Sequence, residues 1–523
     1  MISWVILGII LLVIGLIRFR LLDFPLERDE GGFAYIGRMI QQGVAPYREA
    51  YDFKPPGLYL MYALVMSLFG QSAWGIHFGL LVIDLGSVAL LYGIARVYMN
   101  DAGSLAAALV MGVLQLTSNV LGFAAHATHF VVFWMLIGYL LLLKASRKGG
   151  GVLLVLSGLA FGLSAMMKQP GALFILFGLV LLLRQKGSEW RTVVAGSGSF
   201  LAGGVIPVAA MLIWLAKSGT LGQFLFWNFT YGSEFGTRIG LSDAFAQFWD
   251  SVRRVLSNYE PVWLISLCGM VVSFIRPPLN RGRLHLGLLY ITSLVAVSLG
   301  FQFRSHYFVM LIPAVSLYCG YAGGWIAEFM RRRMPVGRAG VVGLGVVLLA
   351  TGYGVFAQRN YFFRDDPVAL SRQIYFPNPF AESGEIAAFI RSHTGPGDRV
   401  AVLGSEPQIL FLAGRESAMP YLFTYFFMEV HPSSLRMQQE AAADIENASP
   451  PVIVLVTQPV SWGTRPHSER YIFDWANAYL KKNYKLVGAV DQISPEQSTY
   501  CWENDIKSYS RLSEASVLIF KRR

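Results

Sequence analysis

The chain has 523 residues, 54% of them hydrophobic and only 14% charged, with a mean hydropathy of +0.48. A soluble domain carries about 25% charged residues, so a wholly soluble protein is excluded. The net charge of +11 is spread in short clusters between apolar segments, which is a topology signal and not the single basic face that nucleic acid requires.

The first apolar run, residues 2–17, lacks a basic leader and a small-residue cleavage pattern, so it reads as a retained signal anchor. Further apolar segments lie near 75–95, 102–120, 128–143, 151–167, 170–184, 192–216, 261–275, 284–301, 306–329 and 339–357, giving about eleven transmembrane helices. Residues 57–70 are also apolar, but this run reaches only about 21 Å and reads as a helix in or dipping into the interface. Every second loop is then basic: Arg96; Lys144, Arg147 and Lys148; Arg184, Lys186 and Arg191; Arg276, Arg281 and Arg283; and Arg331, Arg332, Arg333 and Arg338. By the positive-inside rule these loops are cytoplasmic. The expected protein is therefore multi-pass in the cell inner (plasma) membrane, with a cytoplasmic N-terminus. The first loop and everything after residue 358 share the periplasmic, or extracytoplasmic, side.

That first loop opens with Arg28-Asp29-Glu30-Gly31-Gly32. Phe33, Ile36 and Ile40 follow at helical spacing, so the loop starts with a short amphipathic helix on the membrane surface. Asp29 and Glu30 sit at its N-terminus, where the helix dipole favours ionised carboxylates. Spacing alone leaves two roles open, a helix cap or a general base or metal ligand. Lys54 precedes the stiff Pro55-Pro56 entry to an apolar helix, and is either an interfacial anchor or a partner for a lipid phosphate. His126 and His129, Lys168 and Gln169, and Arg304, His306 and Tyr307 fall in loops or span ends of the same side. Two lysines, an arginine and several histidines on one face point to an anion site. Asp84 lies in mid-span and is left without a role.

Residues 359–523 form a soluble α/β domain, with helices over 382–393 and 473–482 and strands over 399–403, 451–457 and 516–521. Gly404-Ser405-Glu406-Pro407 is not a dinucleotide fingerprint. Cys268, Cys319 and Cys501 are too scattered for a disulfide framework or metal cluster.

The run Arg28-Asp29-Glu30-Gly31-Gly32-Phe33-Ala34-Tyr35-Ile36, followed by Tyr51-Asp52-Phe53-Lys54-Pro55-Pro56-Gly57-Leu58-Tyr59, resembles the first-loop signature of GT-C glycosyltransferases. The branch it is most similar to comprises the dolichyl-phosphate-mannose protein mannosyltransferases and lipid A aminoarabinose transferases. Residues 162–170 and the His306-Tyr307 to Pro313 segment add to the resemblance, which covers residues 1–358. It implies an α-helical GT-C-like membrane domain that transfers a hexose or pentose, with inversion, from a polyprenyl-phosphate donor to a protein, lipid or glycan acceptor hydroxyl. By that resemblance Asp29 is the base, Glu30 orients acceptor or sugar, and Lys54, Lys168 and Arg304 hold the phosphate. Tyr35, Tyr59, His126, His129, Gln169, His306 and Tyr307 line the cavity. The aminoarabinose branch has a metal-binding Glu before Lys-Pro-Pro, where this chain has Phe53. No metal is carried over, and although a divalent ion is chemically possible, no clear ligand set supports it. The alternative function is a polyprenyl-lipid or glycolipid transporter, whose ionisable groups would cluster at mid-membrane among internal repeats. No such repeat is visible here.

Overall fold

The computed structural model describes residues 2–148, 150–184, 189–233, 240–275 and 282–523. Lys186, Arg276 and Arg281 of the basic loops lie outside the described residues, as do the side chains of Arg147 and Lys148. Helices dominate, and strands of the sheet run only between Arg399 and Arg522.

Among the described residues six helices are long and apolar enough to cross a membrane: Ile2–Arg20 (α1), Ala73–Ala95 (α4), Ala127–Ser146 of the helix Ala127–Lys148 (α6), Trp190–Lys217 (α9), Gly282–Phe301 and Val336–Ala357. A bent pair, Ser242–Leu256 with Glu260–Ile275, passes that test as one unit, broken by 105°. The remaining predicted spans form shorter helices: Asp101–Leu114 (α5), Gly151–Met167 (α7) and Leu173–Leu183 (α8), and beside them Ile312–Met330. Two of these helix ends leave polar residues outside the helix. His306 and Tyr307 occupy a 3-10 turn before Ile312, and Lys168 is extended between α7 and the 3-10 turn at Gln169. Backbone at such depth is tolerated where it borders a cavity instead of lipid.

Small residues set the closest helix contacts. A side-chain carbon at Gly158 would meet the Phe200 carbonyl at 1.8 Å, and one at Gly162 the Gly204 carbonyl at 2.4 Å, so α7 and α9 touch backbone to backbone. The short apolar segment becomes the helix Pro56–Phe69 (α3), which begins at Pro55 and packs against Met166 through Gly57. The mid-span charge at Asp84 is satisfied inside the bundle. Arg18 donates to one of its oxygens, and His129 Nδ1 lies 2.9 Å from the other. Arg20 donates to the carbonyls of Tyr361, Phe362 and Asp365, tying the end of α1 to the segment that leaves the last membrane helix.

In the C-terminal part a six-stranded sheet runs β2-β1-β3-β6-β4-β5. Its strands are Arg399–Leu403 (β1), Glu416–Ser417 (β2), Val452–Val456 (β3), Tyr484–Ser494 (β4), Gln497–Trp502 (β5) and Ser516–Arg522 (β6). β1 pairs in parallel with β2 and β3, and the other pairings are antiparallel. β1 and β3 are short β-branched runs buried on both faces, as parallel strands between helices require.

Candidate active site

The helix Arg28–Gln41 (α2) is fixed at its start by a capping box. The Glu27 carboxylate accepts the Glu30 N–H at 2.9 Å, and the Glu30 carboxylate accepts the Glu27 N–H at 3.3 Å. α2 does not lie open on a surface. α3 covers one side and the C-terminal helix Pro407–Ala413 the other, and nine of its residues are buried. Gly31 and Gly32 make that second contact possible. A side-chain carbon at Gly31 would sit 2.4 Å from Gln408 Cβ, and one at Gly32 2.5 Å from the Phe423 ring. Arg28 spans the junction, donating to Glu406 and Asn378 at 2.8 Å each and to the Ser405 carbonyl at 2.6 Å.

Successive helical residues are turned by about 100°, so Asp29 and Glu30 face different surroundings. Asp29 borders a cavity of about 630 Å³. Its membrane-side wall brings together Lys54, His126, Lys168, Arg304, His306 and Tyr307. The Leu241–Leu256 helix adds Gln247, Asp250, Ser251 and Arg254, while its Phe245 and Trp249 are exposed on the outside. The C-terminal domain closes the cavity with Tyr425, Glu429, Thr464 and Arg465, and the connecting segment adds Tyr375 and Asn378.

Each of the two lysines is held by its own local device. Lys54 Nζ lies 3.7 Å from the centroid of the Phe53 ring and 3.9 Å from Asp52, whose carboxylate is itself fixed by the Tyr59 hydroxyl at 2.9 Å. Lys168 Nζ lies 3.3 Å from the Tyr307 ring centroid. Burial, then the charges of Lys54 and Arg304, push the Lys168 ammonium well below its usual range, against an opposing pull from Asp29. Burial also raises Asp29, but Lys54, His126, Arg304 and Arg28 outweigh it and hold the carboxyl below its ordinary value. The result is an ionised carboxylate beside closely spaced cations. Burial lowers His126 to about 4 and, together with neighbouring cationic groups, His306 well below the usual imidazole range.

Lys54, Lys168, Arg304, His126, His306 and Tyr307 therefore line one cavity with Asp29. Glu30 does not. It is fully buried and accepts hydrogen bonds from the Ala125 N–H at 2.6 Å and from His77 Nε2 at 2.9 Å. His77 Nδ1 faces the Leu22 carbonyl at 2.9 Å, so Glu30 anchors α2 to α4 and to the loop carrying His126. The expectation that Glu30 touches sugar or acceptor is corrected accordingly: its lone pairs are already engaged. His129 is likewise taken up by Asp84, Tyr35 accepts the Ser417 N–H at 2.8 Å, and Tyr59 is used by Asp52. Gln169 donates to the Phe53 carbonyl at 2.6 Å and to Asn228 at 3.1 Å, which fixes the backbone beside Lys54. These four residues support the wall from behind. Sequence reasoning missed Glu27, Arg28, Arg254, Tyr425 and Arg465. The Glu27-x-x-Glu30 spacing of a capping box was a readable signal for the first.

Residues 53–214 match the family model described as dolichyl-phosphate-mannose-protein mannosyltransferase. That segment holds Lys54, His126 and Lys168. No curated protein shows a significant match. Among solved structures, ArnT from Cupriavidus metallidurans bound to undecaprenyl phosphate is 15% identical, with 99% of this chain and 97% of that one covered and a TM-score of 0.61. Its apo state gives 15% and 0.56 over the same shares. The apo oligosaccharyltransferase of Archaeoglobus fulgidus is 13% identical over 96% of this chain and 74% of its own, with a TM-score of 0.52. The chain is thus a multi-pass membrane protein with the fold of the GT-C glycosyltransferases, and its mannosyltransferase-like segment contributes Lys54, His126 and Lys168 to the cavity wall.

Proposed function

We propose that this protein moves a sugar from a polyprenyl-phosphate-linked donor to an acceptor hydroxyl at the extracytoplasmic face of the plasma membrane, with inversion. The observation that carries this reading is the shared cavity. A carboxylate held ionised faces basic groups from three distant segments, in a hollow between membrane helices and a soluble domain. The family match and the likeness to a fold solved with undecaprenyl phosphate support the donor class.

In this reaction Asp29 takes the acceptor proton as the acceptor oxygen bonds to the anomeric carbon. The bond from that carbon to the phosphate oxygen breaks on the opposite face. Lys54, Lys168 and Arg304 bind the phosphate and stabilise the charge it gains on leaving. The depressed pKa of Lys168 suits this role, because an arriving phosphate restores the charged form. Tyr307 holds the Lys168 ammonium, and His126 and His306 shape the wall. Glu30 is a positioning residue that aims α2. Tyr425, Glu429 and Arg465 of the C-terminal domain face the acceptor side. The basic loops on alternate connections support a cytoplasmic N-terminus.

Purified protein in liposomes, supplied with a polyprenyl-phosphate-sugar pool and envelope extract, tests the proposal by mass spectrometry of the products. Asp29→Asn is expected to lower turnover ~10²- to 10⁴-fold with the fold intact. Near-normal turnover in that variant would remove Asp29 from the base role.

A further inference from the structure

We propose that His126 and His306 read two adjacent hydroxyls of the transferred sugar, so that the donor carries a neutral sugar and not a cationic amino sugar, a reading that rests on the donor class proposed above and narrows it. His126 borders the cavity, is only 2% exposed, and neither of its ring nitrogens has a hydrogen-bond partner. Glu27 Oε1, 3.7 Å from Nδ1, stands beyond hydrogen-bond reach. Buried polar groups are ordinarily paired, so two orphaned nitrogens against a hollow await partners that arrive with a ligand. A sugar hydroxyl answers a donor or an acceptor alike, which suits an imidazole at either edge. His306 sets a second ring on the first, with centroids 4.0 Å apart and planes 13° apart, so neighbouring hydroxyls of one sugar can meet one ring each. The Thr128 hydroxyl donates to the His306 carbonyl at 2.9 Å and steadies that turn.

The position of the pair matches the sugar. An oxygen of Asp29 and one nitrogen from each ring lie within 4.8 Å of one another. The His306 and Tyr307 ring centroids lie 4.9 Å apart, and Lys168 Nζ rests 3.3 Å from that of Tyr307. The imidazoles thus adjoin both the base and a phosphate-holding lysine. In a displacement with inversion the transferred sugar fills that interval, because its anomeric carbon lies between the acceptor oxygen and the leaving phosphate.

Charge disfavours the cationic class. Burial first, then His126, Lys168, Arg304 and Lys54, hold the His306 imidazole well below its usual range. An ammonium set against that ring meets the same burial and the same cations. Holding it would take a spare carboxylate, and among the described residues the acids bordering the cavity are otherwise engaged. Asp29 is the base. Glu27 caps α2, and its carboxyl is pushed up by burial, then by Asp29 and Glu30. Glu429 stands 3.5 Å from Arg465, and Asp250 4.0 Å from Arg253.

Full-length protein in nanodiscs is titrated, without acceptor, with bare undecaprenyl phosphate and with undecaprenyl phosphate carrying mannose, glucose or 4-amino-4-deoxyarabinose. The bare lipid is expected to bind, at least one neutral sugar to tighten binding ~10-fold or more, and the amino sugar to add nothing. His126→Phe and His306→Phe should each lose ~3- to 10-fold of that gain while binding the bare lipid as the parent does, which also shows that they fold. The comparison among sugars needs only the unaltered protein. A gain that survives in both variants overturns the proposal, as does an amino-sugar donor that binds as tightly as the neutral ones, or no gain from either neutral sugar. Failure of the bare lipid to bind the unaltered protein overturns the donor class itself, and the sugar wall with it.

Discussion

Asp29 and Glu30 are chain neighbours of like charge in the first turn of one helix, yet they belong to two regions built on opposite rules. Around Glu30 the carboxylate is matched: His77, the Ala125 N–H and the Glu27 N–H all donate to it. The second buried network, Arg18 with Asp84 and His129, follows the same pattern. Around Asp29 the groups are gathered with only long, loose pairings, such as Lys54 with Asp52 at 3.9 Å. Lys168 rests on an aromatic ring and His126 has two unpartnered nitrogens. Matched charge holds helices together, whereas unmatched charge around a hollow awaits a ligand. The two kinds of cluster use the same residue types, so composition alone does not separate them.

Four changes probe that contrast. The largest effect on folding is expected from Glu30→Gln, which leaves His77 without its buried counter-charge. Breaking such a pair costs about 3–5 kcal/mol, read as a lower melting temperature and poor yield in detergent. If this variant instead kept its stability and lost only turnover, Glu30 would belong to the cavity after all. Next come Lys54→Ala and Arg304→Ala, each removing one charged contact worth ~1.5–3 kcal/mol. The donor KM should rise about 10- to 100-fold with melting unchanged. Gly31→Ala forces a carbon into the backbone at Gln408, and overpacking of this kind costs ~1–3 kcal/mol. Limited proteolysis should then cut between the last membrane helix and β1 faster than in the parent.

The smallest effect concerns pH. The pKa of Lys168 lies well below that of an ordinary lysine, because of burial first and Lys54 second, so its charge disappears at a lower pH than usual. Donor affinity should accordingly fall as pH rises through that depressed value. In Lys168→Arg, which stays charged, the fall should move to higher pH. An identical pH profile in both proteins would separate Lys168 from the phosphate.

Much of this could be read from the residues. The apolar runs gave the helices, because a lipid-facing helix must be apolar along its length. The runs at 399–403 and 451–457 gave β1 and β3, because strands buried on both faces are continuous β-branched stretches. The hairpin of β4 and β5 was not legible, since β5 (Gln-Ser-Thr-Tyr-Cys-Trp) is polar and half-exposed. Within the site, Lys54, Lys168 and Arg304 stood out because charges bounded by apolar runs need an anion or a cavity. Glu30 was misread, and the reason is instructive. Its role depends on His77 and Ala125, which are distant in the chain, and nothing local distinguishes it from Asp29. The glycine pair was visible as a motif, but its purpose, admitting a second domain at van der Waals distance, depends on Gln408 and Phe423 some 380 residues onward.

The most direct test is an electron cryo-microscopy structure of the protein in a nanodisc with undecaprenyl phosphate. The phosphate is expected inside the cavity, within hydrogen-bonding distance of Lys54, Lys168 and Arg304, on the side that Asp29 faces. A phosphate bound elsewhere on the protein, with those three side chains unmoved and empty-handed, would contradict the assignment.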